Sequence, residues 1–261
     1  MQSLITYIGE STGGTAQQGF QYEKNAVDVL KPLGIVPKDF RPAGAGSDIP
    51  DIMLQKNGIK AGCELKITAA SAGSLVMKYD AGKWSIGSPT ESNDEKLFVM
   101  ELAKEVGVLD TIAKEWKNEP YKFTKSAELK AEIVDKDKRG IYSAELARFK
   151  EVKGMIPASK IEDYYNKKKT YYVNVGTHGF YLLGNNNPLK LKGVPRFGTS
   201  AKAGYRARVQ AKGGGNYQFT FEMSFSIAAV NKSPVNIAPI KKGSVRILDL
   251  DVEWFTKYFL I

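Results

Sequence analysis

From residue 15 to about residue 90 the chain alternates between two hydrophobic periods. Phe20, Val27 and Leu30 lie at helical spacing, and Glu23 falls on the same stripe. Thr15-Ala-Gln-Gln18 has the form of a capping box, a threonine followed three residues later by a glutamine. Together they predict a helix through Leu30 or Lys31, with Gly34 just past its end. Further on, Asp51-Ile-Met-Leu-Gln-Lys56 and Ile59-Lys-Ala-Gly-Cys-Glu-Leu-Lys-Ile67 alternate at period two on either side of Asn57-Gly58. Asn-Gly between two such runs predicts a tight β-hairpin, because both turn positions need positive φ. The stretch Ser71 to Tyr79 reads as a short helix.

Residues 91–165 read as helical and densely charged. Ser92-Asn-Asp-Glu95 is a second capping box, ahead of Leu97, Met100, Leu102 and Val106. Further helices are predicted over 126–134 and 142–153, with a solvated turn at 136–140. Residues 170–261 read as mostly β. Tyr205, Ala207 and Val209 alternate with Arg206, Arg208 and Gln210, and Gly213-Gly-Gly-Asn216 supplies a turn. Tyr217, Phe219, Phe221, Met223 and Phe225 then share one face, most simply a core face. The fold class expected is α+β in three consecutive parts. These are a mixed α/β core over 1–90, a helical segment over 91–165 that completes or links it, and a basic β-rich part over 166–261.

Composition narrows the chemistry. No stretch approaches the roughly 20 consecutive apolar residues of a membrane span. The N-terminus carries no basic region ahead of its short apolar run, which points to an intracellular, cytoplasmic protein. Cys63 is the only cysteine and His178 the only histidine among 261 residues. A disulfide framework, a thiolate cluster and a two-histidine metal site are thereby excluded within one chain, so any metal would be held by oxygen ligands. Net charge is +10, and it is unevenly placed. Residues 1–159 hold 22 Lys+Arg against 22 Asp+Glu, whereas residues 160–261 hold 16 against 6. A basic half of this kind suits a polyanionic partner.

The hairpin register gives the most specific reading. With Asn57-Gly58 as a two-residue turn, Lys56 pairs with Ile59 and Asp51 falls opposite Glu64. Lys66, two residues on, projects from the same face as Glu64. Ile52, Leu54, Ala61, Cys63, Leu65 and Ile67 fill the opposite, apolar face, which makes Cys63 a core residue. Two carboxylates opposite each other destabilise a hairpin, and a cation between them reverses the sign. Three other Glu-x-Lys copies, at Glu115, Glu128 and Glu151, lie in polar helical stretches without a hairpin.

Pro50-Asp51, a gap, and Glu64-Leu65-Lys66 resemble the PD-(D/E)xK nuclease superfamily, which includes restriction endonucleases, junction resolvases and phage exonucleases. The resemblance covers roughly residues 15–85. It implies a metal-dependent deoxyribonuclease that hydrolyses phosphodiester bonds with Mg²⁺, Mn²⁺ substituting. Asp51, Glu64 and the Leu65 carbonyl would hold the metal, Lys66 would orient water or stabilise the transition state, and products would carry 5′-phosphate and 3′-hydroxyl ends. Glu23 matches the glutamate that many members place on the helix before the hairpin. Asp48, ahead of Pro50, is the rival acidic residue, expected in a loop.

Duplex DNA is the expected partner. Arg206, Arg208, Lys167, Lys168, Lys169 and His178 are the candidate DNA contacts. No nucleophile elbow accompanies His178 and no phosphate-binding loop is present, so neither a triad nor a nucleotide site is expected. Cutting both strands of a palindrome calls for two active sites and hence a homodimer. The leading expectation is an endonuclease of restriction or phage type. The alternatives are a non-catalytic DNA-binding module and a resolvase or exonuclease on the same fold.

Overall fold

Helix α1 (Gly14–Leu30) stops where the chain can no longer continue in the right-handed conformation. Gly34 has φ 74°, its N–H donates to the Lys31 carbonyl, and the Ile35 N–H reaches back to the Leu30 carbonyl. That pair of bonds is the Schellman closure, with Leu30 and Ile35 both buried across it. The computed structural model describes residues 14–42, 49–68, 70–80, 83–86, 94–118, 152–212, 218–229 and 231–250, with 255, 257 and 259. Helices occur with a mixed sheet, so the fold class is α+β. No described helix is long and apolar enough to cross a membrane.

Two units divide the chain. The first comprises residues 1–70, 157–202 and 227–261, and the second comprises 71–156 and 203–226. This interleaving replaces the three consecutive parts expected from the sequence. Its cause is one strand pairing. Strand β2 (Ile59–Lys66), the second arm of the hairpin, lies antiparallel to β1 (Ile52–Lys56) and parallel to a strand more than a hundred residues later. A parallel neighbour requires a crossover. Here the crossover contains most of the second unit.

The first unit's sheet runs β1-β2-β6-β7, with β6 (Thr170–Val175) and β7 (Gly179–Leu182) closing it. The strand pattern dictates its buried face. Ile52, Leu54, Ala61, Cys63 and Leu65 are all buried, as the period-two reading requires. They pack with Tyr22, Ala26, Val27 and Leu30 of α1 and with Tyr172 and Phe180. The centre of the α1 face is therefore Tyr22-Ala26-Leu30, and Phe20 and Glu23 are half-buried at its edge. Segment 231–250 falls in the part expected to be mostly β, but it contains no strand. Pro234 and Pro239 remove two ladder donors within six residues. The segment nevertheless enters the core through Val235, Ile237, Ala238 and Ile240. Buried side chains replace the missing ladder. Tyr22 Oη donates to the Ala238 carbonyl at 2.6 Å, and Asn174 accepts the Ile237 N–H at 3.1 Å.

The second unit holds β3 (Ala70–Asp80), β4 (Lys83–Ile86), α2 (Asp94–Glu105), α3 (Val108–Asn118) and β5 (Val152–Ile156). Strands β8 (Ala201–Lys212) and β9 (Gln218–Ala229) complete a sheet of order β4-β3-β9-β8-β5. Residues 71–79 are strand, not helix. Leu75 and Met77 alternate inward, and β4 and β9 flank them, so cross-strand pairing overrides local helix preference. In α2 the buried residues are Val99, Leu102 and Ala103, and Leu97 is exposed. The expected helix over 126–134 and the turn at 136–140 lie outside the described residues, as does 142–151. Residues 152 and 153, expected to end a helix, open β5 instead. Met223 is fully buried, which agrees with a core face for β9. Tyr217, the turn at 213–216 and the side chains of Phe219, Phe221, Phe225 and Arg208 lie outside the described residues.

Candidate functional site

The hairpin forms in the register read from the sequence. Lys56 pairs with Ile59, and Ile52 pairs with Cys63. Asn57 and Gly58 have φ 51° and 78°, the two positive values of a type I′ turn. The ladder ends at Ile52–Cys63, and Asp51 sits in a bend just before β1. Continuing the register puts Pro50 opposite Leu65, and proline offers no N–H to the ladder. Asp51 caps the ladder just beyond its last pair: its Oδ2 accepts the Leu65 N–H at 2.7 Å. A strand residue's N–H and C=O point to the same edge, so the Leu65 carbonyl faces this side as well.

Lys66 Nζ donates to Glu64 Oε1 at 2.6 Å and lies 4.0 Å from Asp51 Oδ2. The three side chains expected to share one face therefore meet. Glu64 is 5% exposed, and its second carboxylate oxygen, Oε2, is buried with no hydrogen-bond partner among the described residues. An uncompensated carboxylate oxygen in such a place is costly, and it is a ready position for a cation or a proton donor. Among the described residues, no group of three or more His, Cys, Asp or Glu side chains is arranged as a metal cage. The donor set that remains is two carboxylates and a backbone carbonyl. It contains only hard oxygen ligands, and it fits Mg²⁺ better than a softer metal.

Electrostatics tie Glu23 to the same cluster. Burial raises its carboxyl to about 8, and the Asp51 and Glu64 charges push the same way against Lys66. Burial and Glu64 raise Asp51 to about 7, opposed by Lys66, the Leu65 N–H and Lys168. Burial pulls the Lys66 ammonium down. The Glu64 and Asp51 charges, the hydrogen bond to Glu64 and the charge of Glu23 outweigh it, and the amine stands above its ordinary range. Burial holds the Cys63 thiol well above its ordinary value, in keeping with a core residue. Asp48 lies outside the described residues.

The basic candidates are distributed between the units. Lys167 ends helix α4 (Ala158–Lys167) in the first unit, Lys168 and Lys169 follow it, and Arg206 lies on β8 in the second. Lys153 of β5 stands directly opposite Arg206. His178 occupies the β6–β7 turn, where its bonds run to its chain neighbours and to Ser233. Its Nδ1 is 2.8 Å from Thr177 Oγ1, and its carbonyl accepts the Ser233 N–H.

Two features went unread in the sequence. A Cβ on Gly62 would lie 2.7 Å from the Lys169 carbonyl and 2.8 Å from Pro50. Glycine inside a strand is the general signal of such a close approach. The buried Glu162 accepts bonds from Arg196 and from the Gly198 N–H, and so ties α4 to the short helix α5 (Phe197–Ser200). No local pattern marks that pair, because 34 residues separate its members. Neither the sequence nor the fold matches a known family model, a curated protein or a solved structure.

Proposed function

We propose that the protein is a Mg²⁺-dependent deoxyribonuclease of the PD-(D/E)xK kind, acting as an endonuclease on duplex DNA. The observation that carries this reading is the meeting of Asp51, Glu64 and Lys66 beside a buried carboxylate oxygen that accepts no hydrogen bond among the described residues. The topology adds support. The Glu-x-Lys strand is central, with its hairpin partner on one side and a parallel crossover strand on the other.

Asp51, Glu64 and the Leu65 carbonyl would hold the metal. Mg²⁺ there would supply neutralisation of charge on the phosphoryl oxygens and a more acidic water. The protein's own groups do the rest. Lys66, charged at neutral pH, donates hydrogen bonds toward a phosphate oxygen and stabilises charge developing on it. Asp51 is pinned by the Leu65 N–H, so its free oxygen keeps one direction. Glu23 supplies a further carboxyl at the cluster's edge, where a water can be held. The surplus of basic residues gives affinity for the DNA backbone through phosphate contacts.

Supercoiled plasmid distinguishes the readings. With Mg²⁺ we expect cleavage, and with EDTA none. Glu64→Gln and Lys66→Ala should each lower the rate at least ~100-fold while DNA binding persists. The same changes at Glu128 and Lys130 should alter little. Discrete fragments support an endonuclease, and progressive loss from free ends supports an exonuclease. Selective cutting of branched substrates supports a resolvase. Intact plasmid with a gel shift means a binding module. Wild-type cleavage rates in both site variants would rule the mechanism out.

A further inference from the structure

We infer that Lys168 anchors a DNA backbone phosphate beside the Asp51–Glu64–Lys66 cluster, as a positioning residue for the phosphodiester to be cut. The inference rests on the nuclease reading of that cluster. It separates one lysine from a run of three that the sequence makes equivalent.

The separation is geometric. Helix α4 ends at Lys167, and the chain then turns through Lys168 and Lys169 into β6. Lys168 N–H donates to the Tyr165 carbonyl and Lys169 N–H to the Asn166 carbonyl, each at 3.0 Å. Lys169 takes the left-handed conformation, φ 55°, which reverses the chain. Its carbonyl packs at Gly62 together with the Pro50 ring, so the turn lies against the residue that precedes Asp51. Lys167 and Lys169 are exposed, whereas Lys168 is half-buried. Its Nζ stands 5.6 Å from the Tyr164 ring centre and 6.0 Å from that of Tyr165. Rings at that distance hold an ammonium by cation–π attraction and limit where its stem can point. The charge of Lys168 also acts on the Asp51 carboxylate in the same sense as that of Lys66.

A polyanion approaching this cluster meets the carboxylates of Glu23, Asp51 and Glu64. Lys66 is already engaged by two of them. A second cation at the cluster's border, preset by aromatic contacts, lowers the barrier for a phosphate to come alongside. A lysine suits that role as a point charge for phosphate, without base readout.

The test uses the full-length chain and a fluorescein-labelled 30-bp duplex. Binding is titrated with Glu64→Gln as the background and Ca²⁺ present, at several salt concentrations. Lys168→Ala should weaken binding about tenfold and reduce the salt slope by about 0.9. Lys168→Arg should restore both, and Lys38→Ala, at an exposed lysine on a surface loop, should change neither. In the cleavage assay Lys168→Ala should raise KM, with kcat held within about threefold. Unchanged affinity and slope overturn the inference, as does a fall in kcat at constant KM. If the wild-type chain binds with the expected slope changes but never cuts, the phosphate contact stands, while the nuclease reading and the positioning role both fall. If it binds no duplex, both fall.

Discussion

Gly62 shows how a single missing side chain can hold a site together. It lies in β2 two residues before Glu64, at the point where the β2–β6 register shifts. The Lys169 carbonyl and the Pro50 ring both occupy the space its Cβ would need. Contacts of 2.7–2.8 Å to backbone and ring atoms leave nothing flexible to give way. Gly62→Ala should therefore displace Pro50 and loosen Asp51 from the Leu65 N–H. We expect a loss of about 1–3 kcal/mol in stability. Cleavage should fall by more than that loss explains, as measured by denaturant titration and by kcat under conditions where the variant is fully folded. A variant as stable and as active as the wild type would show that the Pro50 contact is dispensable.

At the level of elements, the question is what it costs to bring α1 against the hairpin. Glu23 and Asp51 are driven toward their neutral forms by burial, with the Asp51 charge adding to it at Glu23 and the Glu64 charge at Asp51. A carboxyl whose pKa is raised in the folded state binds its proton more tightly there than in the unfolded chain. Stability is then greatest at low pH and is lost as pH rises from about 4, the unfolded value, to about 7 for Asp51 and about 8 for Glu23. The metal-free protein should thus melt at a lower temperature at pH 8.5 than at pH 5.5. Mg²⁺ should raise the melting temperature more at pH 8.5, where the ligands are ionised. Glu23→Gln removes part of this loss. It should melt a few degrees above wild type at pH 8.5 without metal and within about one degree of it at pH 4. Thermal scans across that range check the sign, and an equal offset at both pH values would exclude a shared electrostatic origin.

For the whole molecule, the two units change the meaning of the charge asymmetry. The first unit holds 20 Lys+Arg against 12 Asp+Glu, a net of +8. The second holds 18 against 16, a net of +2. Most of the excess thus belongs to the unit that carries the carboxylate cluster, not to a separate C-terminal part. Within the second unit, Arg206 stands opposite Lys153 across β5 and β8. Arg206→Ala with Arg208→Ala should lower the salt slope of DNA binding by at most about 1.8, with Lys114→Ala as a control that leaves it unchanged. An unaltered slope in the arginine pair would show that Arg206 and Arg208 make no phosphate contact.

Much of this was readable from local pattern, for a physical reason. The register of a two-residue hairpin follows from its turn, and period two then assigns every side chain to a face. Asn57-Gly58 therefore sufficed to bring Glu64 and Lys66 together and to bury Cys63. The end of α1 was legible because Gly34 can adopt positive φ without strain. Where local preference is weak, partners decided. Residues 71–79 became a strand because β4 and β9 flank them. Segment 231–250 was drawn into the core by Tyr22 and Asn174, more than 200 and 60 residues away along the chain respectively. The parallel pairing of β2 with β6 set the boundaries of both units and brought the turn before β6 against Gly62 and Pro50. Such contacts depend on how distant segments satisfy one another's buried polar and apolar groups, and no window of sequence contains both sides of that exchange.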